Sequence, residues 1–422
     1  MAAPAFKQSP AHAPAPFPLH AADQCVKCGM CLPHCPTYGV TRDEAESPRG
    51  RIMLMQGLAM GTLPAEPALE AHLDGCLTCR ACEVVCPAQV PYGTLIDAVR
   101  EQLAHARPAR ARLAALMAAV LTNRKRLWLI ALPLWLYQRL GLQWLVRRLH
   151  LLGRGRLARL ESLMPDVSLP RLPAPSGAGT GPEVALFANC TSPLTEPGAL
   201  RAAIALLEAA GCRVVVPSAQ TCCGALHQHA GLRAPAQACA TRNLEAFAGA
   251  APVVGIASGC TAQLLDYGLL AGAQGGAFAK RTQDIHAFLL AHPGFAALRF
   301  EPLPARVLLH TPCTLRNVVK APDVVFKLLQ RIPGLEIERL DSACCGAAGS
   351  YFLTQPDMAD ALLEPKLARA RASRPDLLVS SNVGCAMHLA AGLRREGLSV
   401  RVAHPLELLA AQAQASPAAP PA

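Results

Sequence analysis

The 422-residue sequence predicts a multidomain α+β protein: a mainly helical N-terminal module, a helical middle and a C-terminal half of two duplicated α/β units. Three observations predict it. Cysteines recur as Cys25-x-x-Cys28-x-x-Cys31-x-x-x-Cys35-Pro36 and again as Cys76-x-x-Cys79-x-x-Cys82-x-x-x-Cys86-Pro87. Residues 184–290 repeat over residues 306–410, with short apolar strands alternating with helical stretches such as residues 200–209, the pattern of α/β units with parallel sheets. Aromatic residues make up only 4% while Ala, Leu and Arg abound, which favours helices packed through small side chains.

Residues 1–20 are Ala/Pro-rich and residues 412–422 form a similar tract, so both are expected to be disordered and to carry no chemistry. The first ordered unit is expected over residues 21–106. Three closely spaced thiolates with a distant fourth followed by Pro form the ligand pattern of paired [4Fe-4S] clusters, in which each fourth Cys serves the other cluster. This assigns Cys25, Cys28, Cys31 and Cys86 to one cluster and Cys76, Cys79, Cys82 and Cys35 to the other, stapling the two segments into a ferredoxin-type module for electron transfer. Structural zinc fits worse, because zinc sites close with Cys or Cys/His pairs and have no use for the third Cys or the trailing Pro. Disulfides need an oxidising compartment, and residues 1–24 contain no apolar run or small-residue cleavage site of a secretory signal, so a cytoplasmic setting is expected. Between the motifs, Ser47-Pro48 leads into Ile52-Met53-Leu54-Met55, a helix N-terminus signal.

Residues 107–164 read as helical. Within them, residues 127–146 are apolar and flanked by Arg124, Lys125, Arg126, Arg147 and Arg148, a length that would span a bilayer. Gln138, Arg139, Gln143 and Pro133 interrupt the stretch, so the prediction is an amphipathic helix at a membrane interface or against a partner. Residues 165–183 are a Pro/Gly/Ser linker. Its Gly177, Gly179 and Gly181 follow no strand and precede Pro182, which excludes a phosphate-binding loop.

The repeats are expected at residues 184–292 and 305–411. Each supplies four cysteines in the same order: Cys190, Cys222, Cys223 and Cys260, then Cys313, Cys344, Cys345 and Cys385. These fall at the carboxyl ends of predicted strands, where open α/β sheets place their ligand crevices. Adjacent cysteines on a strand point to opposite faces, so each Cys-Cys pair converges only if the backbone turns, and Gly224 and Gly346 permit that turn. Recurrence in both copies marks the eight thiols as candidates for a further cluster, a metal or redox chemistry. Cys212 and Cys239 have no counterpart and read as packing residues. His227, His229, His286, His310, His388 and His404 read as structural histidines, with His388, three residues past Cys385, the best exception.

The formal charge of +11 overstates the working charge, because each [4Fe-4S] core with four thiolates carries about −2. The remaining basic character suits an anionic membrane surface or an acidic partner subunit. Nucleic acid is excluded as a partner: the Arg residues are scattered, and five Tyr and three Trp offer little stacking.

Two ferredoxin motifs followed by two Cys…Cys-Cys-Gly…Gly-Cys repeats resemble the iron–sulfur subunits of bacterial glycolate oxidases over residues 23–409. Cys35-Pro36-Thr37-Tyr38, Ser47-Pro48-Arg49-Gly50-Arg51 and His72-Leu73-Asp74-x-Cys76-Leu77-Thr78-Cys79-Arg80 share in the resemblance. It implies an oxidoreductase subunit that accepts electrons from FAD-containing partner subunits oxidising glycolate or a similar 2-hydroxy acid. Those electrons pass toward a membrane quinone, directly or indirectly, with peripheral contact on the inner face of the cell membrane. Related modules serve lactate and glycerol-3-phosphate dehydrogenases. In the related heterodisulfide reductases such domains end in Cys-x-x-Cys and bind noncubane clusters, and a thiol–disulfide activity is the alternative by that likeness. Here the ends are Cys260-Thr-Ala-Gln263 and Cys385-Ala-Met-His388, so the fifth thiolate is missing twice, leaving an ordinary cluster, zinc or redox-active thiols open.

Overall fold

The computed structural model describes residues 16–414 except 108–111, 113–114, 117–118, 121–122, 150, 154, 176, 178 and 341–342. The N-terminal unit is helical. Pro48–Ala59, Pro67–Asp74 and Tyr92–Ala106 enclose a core that includes Ile52, Met55, Leu73, Leu95, Ile96 and Val99. The Ser-Pro signal at the first of these is used as read: Ser47 caps the helix by accepting from the Gly50 amide at 3.0 Å, and Pro48 stands in the first turn, where no amide donor is needed. Residues 16–20 were expected to be disordered, yet Phe17 is buried and Leu19–Ala22 forms a helical turn, because Phe17, Ala21 and Ala22 complete the same apolar core. Residues 1–15 of that tract lie outside the described residues, as do residues 415–422 of the C-terminal one. Ala413 of the latter pairs with Phe300 in an antiparallel bridge.

The apolar stretch at residues 127–146 is not one helix but two, Arg124–Arg139 and Leu142–Arg148, parted at Gly141 with its φ of +74°. The residues that interrupt its hydrophobicity explain the break. Gln138 donates to the Pro165 carbonyl and accepts from the Val167 amide, both at 2.8 Å, while Gln143 and Arg147 bond Glu161 of the Arg156–Leu163 helix. Leu127 and Ala131 pack on Val167 and Leu194, and Leu129, Leu140 and Trp144 face outward. No helix among the described residues is long and apolar enough to cross a membrane.

Each C-terminal repeat is a four-stranded, wholly parallel sheet flanked by helices. The first holds β1 (Glu183–Phe187), β2 (Arg213–Val215), β3 (Val253–Gly255) and β4 (Thr282–Asp284) in the order β2-β1-β3-β4. The second holds β5 (Ala305–His310), β6 (Leu335–Arg339), β7 (Leu377–Ser380) and β8 (Arg401–Ala403) in the order β6-β5-β7-β8. The central strands are nearly all apolar because helices cover both faces. In both sheets the order reverses beside the first strand, which opens a crevice at the carboxyl ends of the central pair.

The repeats share one core through equivalent exchanges. The long helix after the first strand of one copy, Pro197–Ala209, packs on the last helix of the other, Pro405–Gln412, and Ile285–Ala291 packs on Val324–Leu329. Leu200, Leu207, Leu328, Leu406 and Leu409 are fully buried there, each contributing about 1.5–3 kcal/mol of transfer free energy. The equivalent histidines His286 and His404 meet at this junction in a tilted pair with ring centroids 5.4 Å apart. His404 Nδ1 accepts from the Leu406 amide and Nε2 bonds the Ile256 carbonyl of the other repeat at 3.1 Å. Those two bonds demand a neutral ring with its proton on Nε2.

Candidate metal centres

The first cysteine run and the last Cys of the second meet: Cys25, Cys28, Cys31 and Cys86 line one cavity with Lys27, Gly29, Arg49 and Pro87. Left-handed residues wrap the loop around it, Lys27 at φ +57° and Gly29 at φ +86°. Arg49 holds the loop from outside, donating to the Lys27 carbonyl at 3.0 Å while Glu44 fixes its guanidinium at 2.6 Å. Four thiols around one cavity match the all-thiolate ligand set of a cubane cluster.

The second group repeats the geometry more deeply. Thr78 at φ +51° and Arg80 at φ +56° sit at the positions of Lys27 and Gly29. Burial, then the neighbouring Cys79, Cys76, Glu83 and Cys35, pushes the Cys82 thiol well up. Metal binding reverses this penalty by taking up the thiolate charge. Cys76 Sγ accepts from the Thr78 amide at 3.4 Å and from Tyr92 Oη at 3.6 Å. Cys35 Sγ lies 3.3 Å from Thr37 Oγ1, which in turn accepts from Arg51 at 3.0 Å. Arg51 is only 1% exposed and also bonds Glu46 and the His72 carbonyl. Burial pulls its pKa down, but Tyr92, Cys76, Glu46 and Cys35 around it hold it above the usual guanidinium value. One five-residue segment, Ser47 to Arg51, therefore ties down the first loop through Arg49 and places a buried cation under the second through Arg51. Gly50 is obligatory between them, since a Cβ there would run into the Glu44 carbonyl.

In the repeats, each switch-point crevice gathers its four thiols. Cys190 follows β1, Cys222 and Cys223 follow β2, and Cys260 stands in the first turn of Ser258–Leu265 after β3. Cys313 opens Cys313–Asn317 after β5, Cys344 and Cys345 follow β6, and Cys385 stands in the first turn of Val383–Arg395 after β7. The turns come from Gly224 at φ +91° and Gly346 at φ +83°, whose amides each donate to the sulfur two residues back, Cys222 or Cys344, at 3.4 Å. Hydrogen bonds from Cys190 and Cys223 hold the Cys222 thiol well below its ordinary value, and Cys313 and Cys345 do the same for Cys344. Cys313 Sγ and Cys344 Sγ are 4.0 Å apart, and all the cysteines are free thiols.

The N-terminal module docks on both repeats through its second loop. Asn317, at the far end of the short helix that Cys313 opens, donates to the Cys79 carbonyl at 2.7 Å. Burial, then Cys344, pushes the Cys79 thiol well up, so this ligand candidate abuts the second crevice. Arg80 reaches the first repeat at Asp266, 2.7 Å away, and Tyr351 donates to the Gly75 carbonyl at 2.9 Å.

Comparison with known proteins agrees with this arrangement. Residues 21–90 match the 4Fe-4S dicluster domain, residues 108–164 the linker region of the glycolate oxidase iron-sulfur subunit, and residues 184–265 and 307–390 the cysteine-rich domain. The probable glycolate oxidase iron-sulfur subunit of Bacillus subtilis is 34% identical over 414 residues, 91% of this chain and 92% of the relative. The chain belongs to the glycolate oxidase iron–sulfur subunit family. The Escherichia coli glycolate oxidase iron-sulfur subunit is 31% identical over 88% of this chain and 90% of its own length. Lactate utilization protein A of Shouchella clausii is 28% identical over 54% of this chain and 98% of its own length. As a member of this family the chain is an iron–sulfur oxidoreductase subunit of the hydroxy-acid oxidase type, carrying [4Fe-4S] clusters.

Outside the four groups, one histidine departs from expectation. Cys212 is buried 3.5 Å from His292, and Cys239 is buried 3.9 Å from His227, with burial, then Cys222, pushing its thiol up to about 12. His388 was the histidine singled out by its distance from Cys385. It turns away instead, bonding the Ala359 carbonyl at 3.3 Å and stacking on Phe352, so its ring is taken up by the neighbouring helix Pro356–Ser373 and the residues before it. His229 and His286 pair with Asp97 and Asp284. His310, read as structural, is the one that meets cysteines: its ring nitrogen, Cys345 Sγ and Cys385 Sγ all lie within 4.8 Å of one another. A signal was present in the duplication, since Phe187 fills the equivalent strand position in the first repeat. Arg49 and Arg51 were marked only by the resemblance of the Ser47-Pro48-Arg49-Gly50-Arg51 segment, which gave them no role.

Proposed function

We propose that this family member is the electron-transfer subunit of a glycolate oxidase or dehydrogenase complex. Cys25, Cys28, Cys31 and Cys86 hold one [4Fe-4S] cluster, and Cys76, Cys79, Cys82 and Cys35 the other. Such clusters supply one-electron transfer. The hydroxy acid is oxidised on an FAD-containing partner subunit, and electrons leave toward a membrane quinone. The observation that carries this reading is the continuity of thiol groups: the second loop, through Cys79, touches the helix that presents Cys313. The eight repeat thiols extend the metal or redox chain beyond the ferredoxin-type module.

The test is EPR of the anaerobically co-purified complex after adding glycolate, with lactate and glycerol 3-phosphate as comparisons. Glycolate should reduce the iron–sulfur signals within turnover time. Reduction only by one of the other substrates would move the assignment to that dehydrogenase, and reduction by none would end the proposal.

Peripheral attachment to the inner face of the membrane is supported by the middle helices, where exposed Leu129, Leu140 and Trp144 stand among exposed Arg126, Arg139 and Arg148. Apolar insertion flanked by cations suits an anionic bilayer. Flotation with phosphatidylglycerol vesicles should capture the protein, and Trp144→Glu with Leu129→Glu should release it; equal flotation of both proteins would refute the contact.

A further inference from the structure

The two repeats are alike in their cysteines and unlike at one buried strand position. Phe187 ends β1, is fully buried and packs on Phe247 with ring centroids 5.9 Å apart. Its counterpart His310 ends β5, is equally buried, and turns a ring nitrogen toward Cys345 and Cys385. Ser380, on the neighbouring strand β7, meets His310 Nδ1 at 3.0 Å. A hydrogen bond on one ring nitrogen fixes the plane and tautomer of an imidazole whose other nitrogen coordinates, the usual arrangement behind a ligating histidine.

We propose that His310 is a metal ligand, and that the second repeat holds a mixed imidazole and thiolate centre built by His310, Cys345 and Cys385, with Cys313 and Cys344 completing the sulfur wall. The inference rests on the reading of the repeat thiols as a metal-binding group. Ser380 occupies Nδ1, so coordination is assigned to Nε2. Three donor atoms within 4.8 Å of one another can share a single ion or one edge of a cluster. The set, soft thiolates plus a neutral imidazole, takes a thiophilic transition-metal centre, either iron–sulfur or zinc. Thiols lose their protons on binding and the imidazole enters neutral, so loading releases protons to solvent. His310 supplies a donor from a strand end where the expected fifth thiolate is absent from Cys385-Ala-Met-His388, and the first repeat, with Phe187, has no such donor at that position. The two crevices are therefore different centres, and the one with the nitrogen ligand is the one beside Cys79.

The test uses the full chain purified anaerobically, unlabelled and with ¹⁵N-histidine, and reads metal and sulfide content, pulsed-EPR nitrogen couplings of the reduced protein, and X-ray absorption at the zinc edge. An iron centre should show a nitrogen coupling that changes isotope pattern with the label. A zinc centre should instead show a nitrogen scatterer at about 2.0–2.1 Å. Either signature should vanish in His310→Phe, which copies the packing of the first repeat, while the other cluster signals stay. No histidine nitrogen on any metal of the wild-type protein overturns the inference, and this reading stands even if the variant does not fold. Cys345→Ser and Cys385→Ser separate the two levels. If they lose metal but His310→Phe changes nothing, only the histidine ligand fails. If they keep the full metal content, the second repeat is not a metal centre and both readings fail.

Discussion

Replacing Arg51 by Gln should lower the reduction potential of the cluster assigned to Cys76, Cys79, Cys82 and Cys35 and leave the other nearly unmoved. The guanidinium lies within about 6 Å of the Cys35 sulfur, because its 3.0 Å bond to Thr37 Oγ1 and the 3.3 Å contact from that oxygen to Cys35 share an atom. At an effective dielectric of about 20, a unit charge at that range contributes about 2–3 kcal/mol to the energy of an added electron, or roughly 100 mV for a one-electron couple. The sign follows from charge: reduction adds an electron, and a neighbouring cation stabilises it. The variant also leaves Glu46 and the His72 carbonyl short of a partner in a buried place, so a stability loss of about 3–5 kcal/mol accompanies it. Arg51→Lys separates the two effects, keeping the charge while losing the planar fork. The assay is an EPR-monitored redox titration of the two variants and the parent protein. A fall of roughly 100 mV in one cluster in the Gln variant, with Lys near the parent, is the expected result. A shift of the same size in both clusters, or none in either, would refute the electrostatic role of Arg51.

Other perturbations reach different parts of the molecule. Cys86→Ala should remove the same EPR signal as Cys25→Ala, with a loss of about four iron, and Cys35→Ala should remove the other; a signal shared by Cys86→Ala and Cys76→Ala would overturn the crossed assignment. Gly50→Ala should cost roughly 2–3 kcal/mol in denaturant unfolding, since its new methyl meets backbone that cannot yield; an unchanged midpoint would contradict the fixed turn. Burial, opposed by the 3.3 Å Ser192 bond and reinforced by Glu407, pushes the Glu196 carboxyl up to about 7. Its contribution is therefore fully present below about pH 4.5 and lost as pH rises through 7, so Glu196→Gln should gain up to about 2 kcal/mol at pH 8 and nothing at pH 4. His404 works in the opposite sense: burial, then His286, lowers it to about 3, so stability falls as pH drops below 6.5, by up to about 1.4 kcal/mol per pH unit. His404→Asn, which can still cap the last helix, should flatten that acid limb, and an acid limb identical to the parent's would remove His404 as its source.

Local spacing carried the proposed ligand groups. Three cysteines at intervals of three sit in one loop whatever surrounds it, and a Cys-Cys-Gly after a strand turns at its glycine whether or not the partner repeat is known. The duplication was equally legible, because equivalent strands and thiols recur at a nearly constant offset. The break at Gly141 was not: Gln138 and Gln143 read as flaws in a hydrophobic stretch, and only the return of the chain at residues 161–167 shows that they are its anchors. The choice of histidine failed for a related reason. Nearness in sequence favoured His388, but its ring is engaged by the Ala359 carbonyl and Phe352, while the pairing of β5 with β7 brings His310 in from 75 residues before Cys385.

What the sequence by itself determined is the chemistry of the donors: sixteen paired-motif thiols in four sets of four, a ferredoxin-type module before a duplicated α/β half, and the glycolate oxidase family. What only the tertiary structure decided is which groups stand next to which. Asn317 brings Cys79 to the second crevice, Arg51 lies buried beside the Cys35 side of one proposed cluster site, and among the described residues His310 meets the thiols of the second repeat. Thiolate ligation is a property of residue type and short-range spacing, whereas electron-transfer neighbours and buried charges depend on contacts between segments far apart in the chain, which packing of the shared core selects.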